Sequence, residues 1–105
     1  MLDTKKNRVL VIIPAFNEAK SIGSVLAEIA GTNPSVDILV IDDGSTDATS
    51  VEVRKLGVSV LRHPFNLGYG SAVQTGYMYA VECGYEYLVQ IDADGQHNPK
   101  DIPKL

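Results

Sequence analysis

Four short runs of β-favouring residues alternate with stretches of helical periodicity, and this alternation confines the chain to very few folds. The runs are Arg8–Ile13, Asp37–Ile41, Val58–Leu61 and Tyr87–Ile91. The first two are almost entirely aliphatic, as expected of strands covered on both faces. Ile22, Val25, Leu26 and Ile29 recur at helical spacing after the first run, and Gly31 reads as the helix stop. Ser45 or Thr46 is predicted to cap a second helix, with Asp47 in its first turn; that helix ends near Leu56 and Gly57. A third helix is predicted over Ser71–Cys83, with Val73, Tyr77, Ala80 and Val81 on its buried face. Pro99 suits the first turn of a fourth. Strand–helix alternation with short links predicts an α/β fold with parallel strands and right-handed crossovers.

At 105 residues the chain reads as one domain, residues 1–105. The apolar share of 45% is enough for a core. A domain this small hides only about two-thirds of its unfolded surface, so its stability is modest. The net charge of −4, with no long run of like charge, excludes the basic face that DNA or RNA binding requires. The single cysteine, Cys83, permits no intrachain disulfide; it reads as a small buried residue in a reducing compartment. No apolar run reaches the roughly 18 residues that span a bilayer, and the first residues lack a secretion-signal core. A cytoplasmic location is the expectation.

The polar residues gather at one place. Pro14–Glu18, Asp42–Asp43, His63–Gly70 and Asp92–His97 each follow a strand. Carboxyl ends of strands are where open α/β sheets bind ligands. In Asp92-Ala93-Asp94, two carboxylates two residues apart can converge on one hard cation, Mg²⁺ or Mn²⁺, and Gln96 offers a further oxygen. The competing reading is a turn in which Asp and Gly serve local geometry. His97 reads as a solvent or outer residue rather than a ligand. Asp43 suits a base or ribose contact, while its neighbour Asp42 points to the opposite sheet face. In Pro14-Ala15-Phe16-Asn17-Glu18, Phe16 suits either a base or the core. Asn17 suits either a ligand or a helix N-cap, and Glu18 a ribose or base edge. The glycines of the His63–Gly70 loop suit phosphate contact or backbone geometry equally.

Taken in order, VIIPAFNEAKSI, ILVIDDGSTDAT, HPFNLGYGSAVQTGYMYA and YLVQIDADGQHNP resemble the GT-A fold of family 2 glycosyltransferases, and they cover most of the chain from Val11 to Pro99. The NLGYG and DADGQH stretches are most similar to the dolichyl- and polyprenyl-phosphate mannose synthase group. The resemblance implies a three-layer α/β/α sandwich with a mostly parallel, Rossmann-like sheet of order 3-2-1-4, forming the nucleotide-sugar-binding half of the enzyme. It implies that Pro14, Ala15, Phe16, Asn17 and Glu18 border the base and ribose, and that Asp43 bonds the base. Asp92 and Ala93 would lie against the sugar or metal sphere. Asp92, Asp94 and Gln96 would hold Mg²⁺ or Mn²⁺ on the diphosphate of a GDP- or UDP-linked sugar. The implied reaction is inverting transfer to a polyprenyl phosphate at the cytoplasmic face of a membrane. The acceptor-side motifs and any general base are expected beyond Leu105, so the chain alone is expected to be inactive. Its fourth strand is expected to leave a sheet edge open to self-association. The alternative is a nucleotide-sugar-binding module without turnover. A haloacid-dehalogenase-type phosphatase is excluded because too few residues follow Gly95 for its later motifs. A sugar nucleotidyltransferase is excluded by the absent glycine- and arginine-rich loop after the first strand.

Overall fold

The computed structural model describes residues 7–94. Its elements follow the order β1 (Val9–Ala15), α1 (Ile22–Thr32), β2 (Val36–Asp42), α2 (Thr49–Lys55), β3 (Ser59–Arg62), α3 (Tyr69–Glu82) and β4 (Tyr87–Gln90). The strands form one sheet of order β3-β2-β1-β4, and every pairing is parallel.

Side chains alternate across this sheet, and each face has its own core. Val11, Ile13 and Val40 pack with Ile22, Val25, Leu26 and Ile29 of α1 and Val53 of α2. Leu10, Ile12, Leu39 and Ile41 pack with Ala72, Tyr79 and Ala80 of α3. The result is the three-layer α/β/α sandwich with the strand order implied by the resemblance. Cys83 is partly buried against the α3-side core.

Three local expectations are corrected. Helix α1 continues through Gly31 to Thr32, and Asn33 closes it with an amide bond to the Ile29 carbonyl at 2.8 Å. Helix α2 begins at Thr49, not beside Ser45 or Thr46, and neither caps it. Ala48 holds the N-cap position, and Asp47, one residue earlier and so outside the first turn, accepts the Thr49 amide at 2.9 Å. The buried stripe of α3 is Ala72, Gly76, Tyr79 and Ala80, whereas Tyr77 and Val81 are exposed at 52% and 81%. The cause is close packing. A Cβ on Gly76 would stand 2.7 Å from Cδ1 of Ile12, so α3 lies on β1 through its smallest residues. Tyr79 is its one bulky buried side chain, and Tyr77, Met78 and Val81 are turned outward. Pro99 and the predicted fourth helix lie outside the described residues.

Pro14 sits in a central strand, a position proline normally avoids because it lacks an amide donor. Pairing of β1 with β4 ends at Ile12 and Gln90, followed by one bond from the Ile91 amide to the Ile12 carbonyl at 3.0 Å. Backbone polarity alternates along a strand, so the missing donor of Pro14 faces the side that β4 has already left. Beyond that point β1 and β4 separate. The chain order also reverses here, β2 and β3 lying on one side of β1 and β4 on the other. This is the switch point at which open α/β sheets bind ligands.

Candidate nucleotide-sugar site

A cavity of about 420 Å³ opens at this switch point. One wall is Pro14, Ala15, Phe16 and Glu18 after β1, and the opposite wall is Asp92, Ala93 and Asp94 after β4. Asp43, Asn66 and Gly68 form the back, with Tyr69 and Ala72 from the start of α3. The volume falls in the range of ordinary small-molecule sites.

The segment after β1 is held by the β2–α2 loop. Asn17 adopts φ 55°, and its Oδ1 accepts the amides of Thr46 at 2.8 Å and Asp47 at 3.3 Å. Its own amide donates to Ser45 Oγ at 2.8 Å. The amides of Glu18 and Ala19 bond Thr49 Oγ1 and Asp47 Oδ2 at 3.0 and 3.1 Å. Asn17 therefore faces this loop rather than the cavity, and the N-cap position of α1 belongs to Ser21. The same lacing presents Phe16 at the cavity, 44% exposed and outside the core.

The two acids after β2 point to opposite faces. Asp42 is fully buried on the α2 side. It accepts the Ser45 amide at 2.9 Å, the Arg62 guanidinium at 2.8 Å and the Ser50 hydroxyl. Arg62 also bonds the Ser45 carbonyl at 2.8 Å. Burial pushes the Asp42 carboxyl up, but the bonds from Ser45 and Ser50 and the Arg62 charge outweigh it and hold it below the usual carboxylate range.

Asp43 faces α3. Its Oδ1 lies 2.7 Å from His63 Nδ1 and accepts the Leu67 amide at 3.0 Å. Its Oδ2 accepts the Gly68 amide at 2.9 Å and Asn66 Nδ2 at 3.2 Å. Here too burial raises the carboxyl, and His63 with the two amides brings it below its ordinary value. The amides of the glycine-bearing loop thus meet an internal anion, Asp43. Gly44 makes the approach possible: at φ +74° its missing Cβ leaves room for the Phe65 carbonyl carbon, which a Cβ would meet at 2.3 Å.

The Asp92–Asp94 turn is tied down differently. The Ala93 carbonyl accepts Ser21 Oγ at 2.7 Å, which fixes the turn to the start of α1. Ala93 is buried, Asp92 half-buried and Asp94 exposed. The Tyr69 hydroxyl lies 3.5 Å from Asp92 Oδ1 and accepts from Gln90 Nε2. Burial and the Asp92 charge raise the Tyr69 hydroxyl above its ordinary value. Among the described residues no three His, Cys, Asp or Glu side chains form a metal cage. Two carboxylates at a wet rim nonetheless fit Mg²⁺ or Mn²⁺, which retain waters and take phosphate oxygens. Gln96 and His97 lie outside the described residues.

The fold, the switch-point cavity and the four loops that line it agree with one family. The family model for glycosyl transferase family 2 matches residues 10–105. This chain belongs to glycosyl transferase family 2. Among family relatives, it is 36% identical to a polyprenol monophosphomannose synthase of Mycolicibacterium smegmatis, over 93% of this chain and 39% of that protein. It is 39% identical to an undecaprenyl-phosphate mannosyltransferase of Micrococcus luteus, over 93% of this chain and 42% of that protein. It therefore spans about two-fifths of the length of these relatives. In structure it resembles a mannosyltransferase of Pyrobaculum calidifontis in complex with GDP-Man and Mn²⁺. The TM-score is 0.74 at 29% identity, covering 87% of this chain and 28% of that one.

Sequence reasoning brought Pro14, Ala15, Phe16, Glu18, Asp43, Asp92, Ala93 and Asp94 to this cavity. It did not single out Asn66, Tyr69 or Ala72 as lining residues. The available clue was the small-residue spacing of Ala72 and Gly76, which marks where α3 lies close against the sheet and carries its first turn to the cavity.

Proposed function

We propose that this chain is the nucleotide-sugar-binding half of an inverting family 2 glycosyltransferase whose acceptor is a polyprenyl phosphate. The carrying observation is the cavity at the switch point, which Phe16, Glu18 and Asp43 line together with Asp92 and Asp94. In this reading Pro14, Ala15 and Phe16 border the base, and Asn17 and Glu18 shape the ribose end. Asp43 reaches the base directly or through the loop it anchors. Asp92 and Ala93 meet the sugar side, and Asp92, Asp94 and Gln96 hold a Mg²⁺ or Mn²⁺ ion. When bound, that ion offsets the charge of the departing diphosphate. In an inverting reaction the acceptor would attack the sugar from the face opposite the leaving group. An ionised lipid phosphate would need no general base to attack. The named mannosyl transferases to polyprenyl carriers support this acceptor class. No helix among the described residues is long and apolar enough to cross a membrane. The proposed location, at the cytoplasmic face of a membrane, follows from the lipid acceptor alone.

Calorimetry with GDP and with UDP tests the reading. Mn²⁺ is expected to strengthen binding of one of them about tenfold or more, or ~1.4 kcal/mol. Asp94→Asn is expected to remove most of that gain. Equal affinity in Mn²⁺ and in chelator would end the metal role.

A further inference from the structure

Past Ile91 the sheet no longer holds the chain. Pairing of β4 with β1 ends at Gln90, and the last bond runs from the Ile91 amide to the Ile12 carbonyl at 3.0 Å. Asp92, Ala93 and Asp94 continue beyond that ladder, yet both acids line the cavity. The bond that takes over comes from α1. Ser21 Oγ donates to the Ala93 carbonyl at 2.7 Å, across 72 residues of sequence. A carbonyl oxygen has no proton to give, so the donor in this pair is the serine. Glu18 Oε1, from the opposite wall of the cavity, stands 3.3 Å from the same hydroxyl.

This use of the hydroxyl has a local cost. Ser21 is the N-cap residue of α1, a place where serine ordinarily takes extended backbone angles and accepts an amide of the first turn. Here its backbone is helical, at φ −108° and ψ −23°, and its side chain makes no capping bond. The next residue, Ile22, is fully buried, and it packs in the same core as Ile91 and Ala93. The serine and the carbonyl it holds therefore stand on one packed base. The two acids on either side of Ala93 border the cavity from that base.

We propose that Ser21 is a positioning residue for the Asp92–Asp94 turn: by holding the Ala93 carbonyl instead of capping α1, it sets the spacing at which the two carboxylates meet a divalent cation on a nucleoside diphosphate. Ser21 does not itself line the cavity. Outer partners that orient ligands in this way tune the affinity for the ion. The inference rests on reading this turn as the metal-holding end of a nucleotide-sugar site.

Calorimetry on the 105-residue chain tests it, with GDP and UDP in Mn²⁺ and in chelator, and with guanosine and uridine alone. Ser21→Ala is expected to shrink the gain from Mn²⁺ about fivefold, the value of one hydrogen bond. Nucleoside affinity, which involves no metal, is expected to stay at the parent value. Ser21→Thr keeps a hydroxyl and is expected to restore the gain. Urea unfolding establishes that each variant is folded. Should Ser21→Ala not fold, Ser21→Cys in reducing buffer, with the same shape and a far weaker donor, is expected to show the same split. A folded variant without the hydroxyl that keeps the full Mn²⁺ gain overturns the inference and leaves the metal reading standing. So does one that loses nucleoside affinity and Mn²⁺ gain in equal measure, since the serine then serves the fold as a whole. A parent chain that shows no gain from Mn²⁺ ends both.

Discussion

Asp43 and the Asp92–Asp94 turn reach the same cavity from strands on either side of β1, but their surroundings differ. Asp43 has a side chain only 4% exposed and takes bonds from His63, Asn66 and the amides of Leu67 and Gly68. Asp94 stands exposed at the rim, and Asp92 is half-buried with Tyr69 at 3.5 Å. The first carboxylate is compensated by the protein's own donors; the second pair is the one proposed to hold a cation. In the proposed reading, the end that would meet the base is buried and hydrogen-bonded, and the end that would meet the diphosphate is the more exposed. Substitutions at the first end should cost folding energy as well as affinity, and substitutions at the second should cost affinity alone.

The largest expected effect is at the buried end. Gly44→Ala places a Cβ 2.3 Å from the Phe65 carbonyl carbon and 2.5 Å from the Asn66 amide nitrogen, in a backbone conformation (φ +74°) that alanine resists. Backbone cannot yield as a side chain can. The expected loss is about 2–4 kcal/mol in urea unfolding, with weaker nucleoside binding as Asn66 shifts. Asp94→Asn is expected to leave the unfolding curve unchanged. Equal destabilisation by both would erase the contrast.

A smaller loss tests the supporting acid. Asp42→Asn weakens the bonds to Arg62, Ser45 and Ser50 but keeps the shape, and should cost about 2 kcal/mol because one Arg62 face remains in water. The acid response carries the same information. Both Asp42 and Asp43 have folded-state values below their unfolded ones. Their contribution is fully present above the unfolded value of about 4 and is lost as pH falls through the folded values. Urea midpoints should therefore drop below about pH 4, and drop less steeply in Asp42→Asn. A midpoint flat across that interval would contradict the cited shifts.

What the sequence disclosed follows the same divide between pattern and packing. The aliphatic runs and the Ile22, Val25, Leu26, Ile29 stripe could be read directly, because each of those helix residues is buried on a sheet face. The face of α3 could be read only in part: Ala80 is buried as expected, but Ala72 and Gly76, which share that face with Tyr79, are too small to mark it in a hydrophobic pattern. The start of α2 was displaced because Ser45 spends its hydroxyl on the Asn17 amide, a partner 28 residues away. The acids and prolines at the strand ends announced a site; Asn66 and Tyr69 reach it only through the path of the β3–α3 loop. The contact of His63 with Asp43 was equally hidden, since it joins a ring and a carboxylate across 20 residues.

The smallest expected effect lies at the far end of β4, away from the cavity. Among the described residues β4 pairs with β1 alone, so its outer backbone groups face outward. Leu88 and Gln90 carry those outward groups, since the amides of Tyr87 and Ile91 bond Arg8 and Ile12 on the β1 side. Arg8 lies over the Tyr87 ring at 5.5 Å and pairs with Glu86 at 2.9 Å, which places charge at only one end of the edge. Edge strands protected so lightly pair with other chains. Light scattering is expected to show concentration-dependent association of the chain, weakened about threefold by Tyr87→Lys, the size of one added edge charge. Nucleotide affinity should stay constant, because Tyr87 sits at the amino end of β4 and the cavity at the other. If Tyr87→Lys changes nothing while Met78→Lys abolishes the association, the contact lies instead on the exposed apolar face of α3, where Tyr77, Met78 and Val81 are 52%, 60% and 81% exposed. A chain that stays monomeric at every concentration would show that neither the edge nor the helix face is adhesive, and that the asymmetry of this small domain is confined to its ligand site.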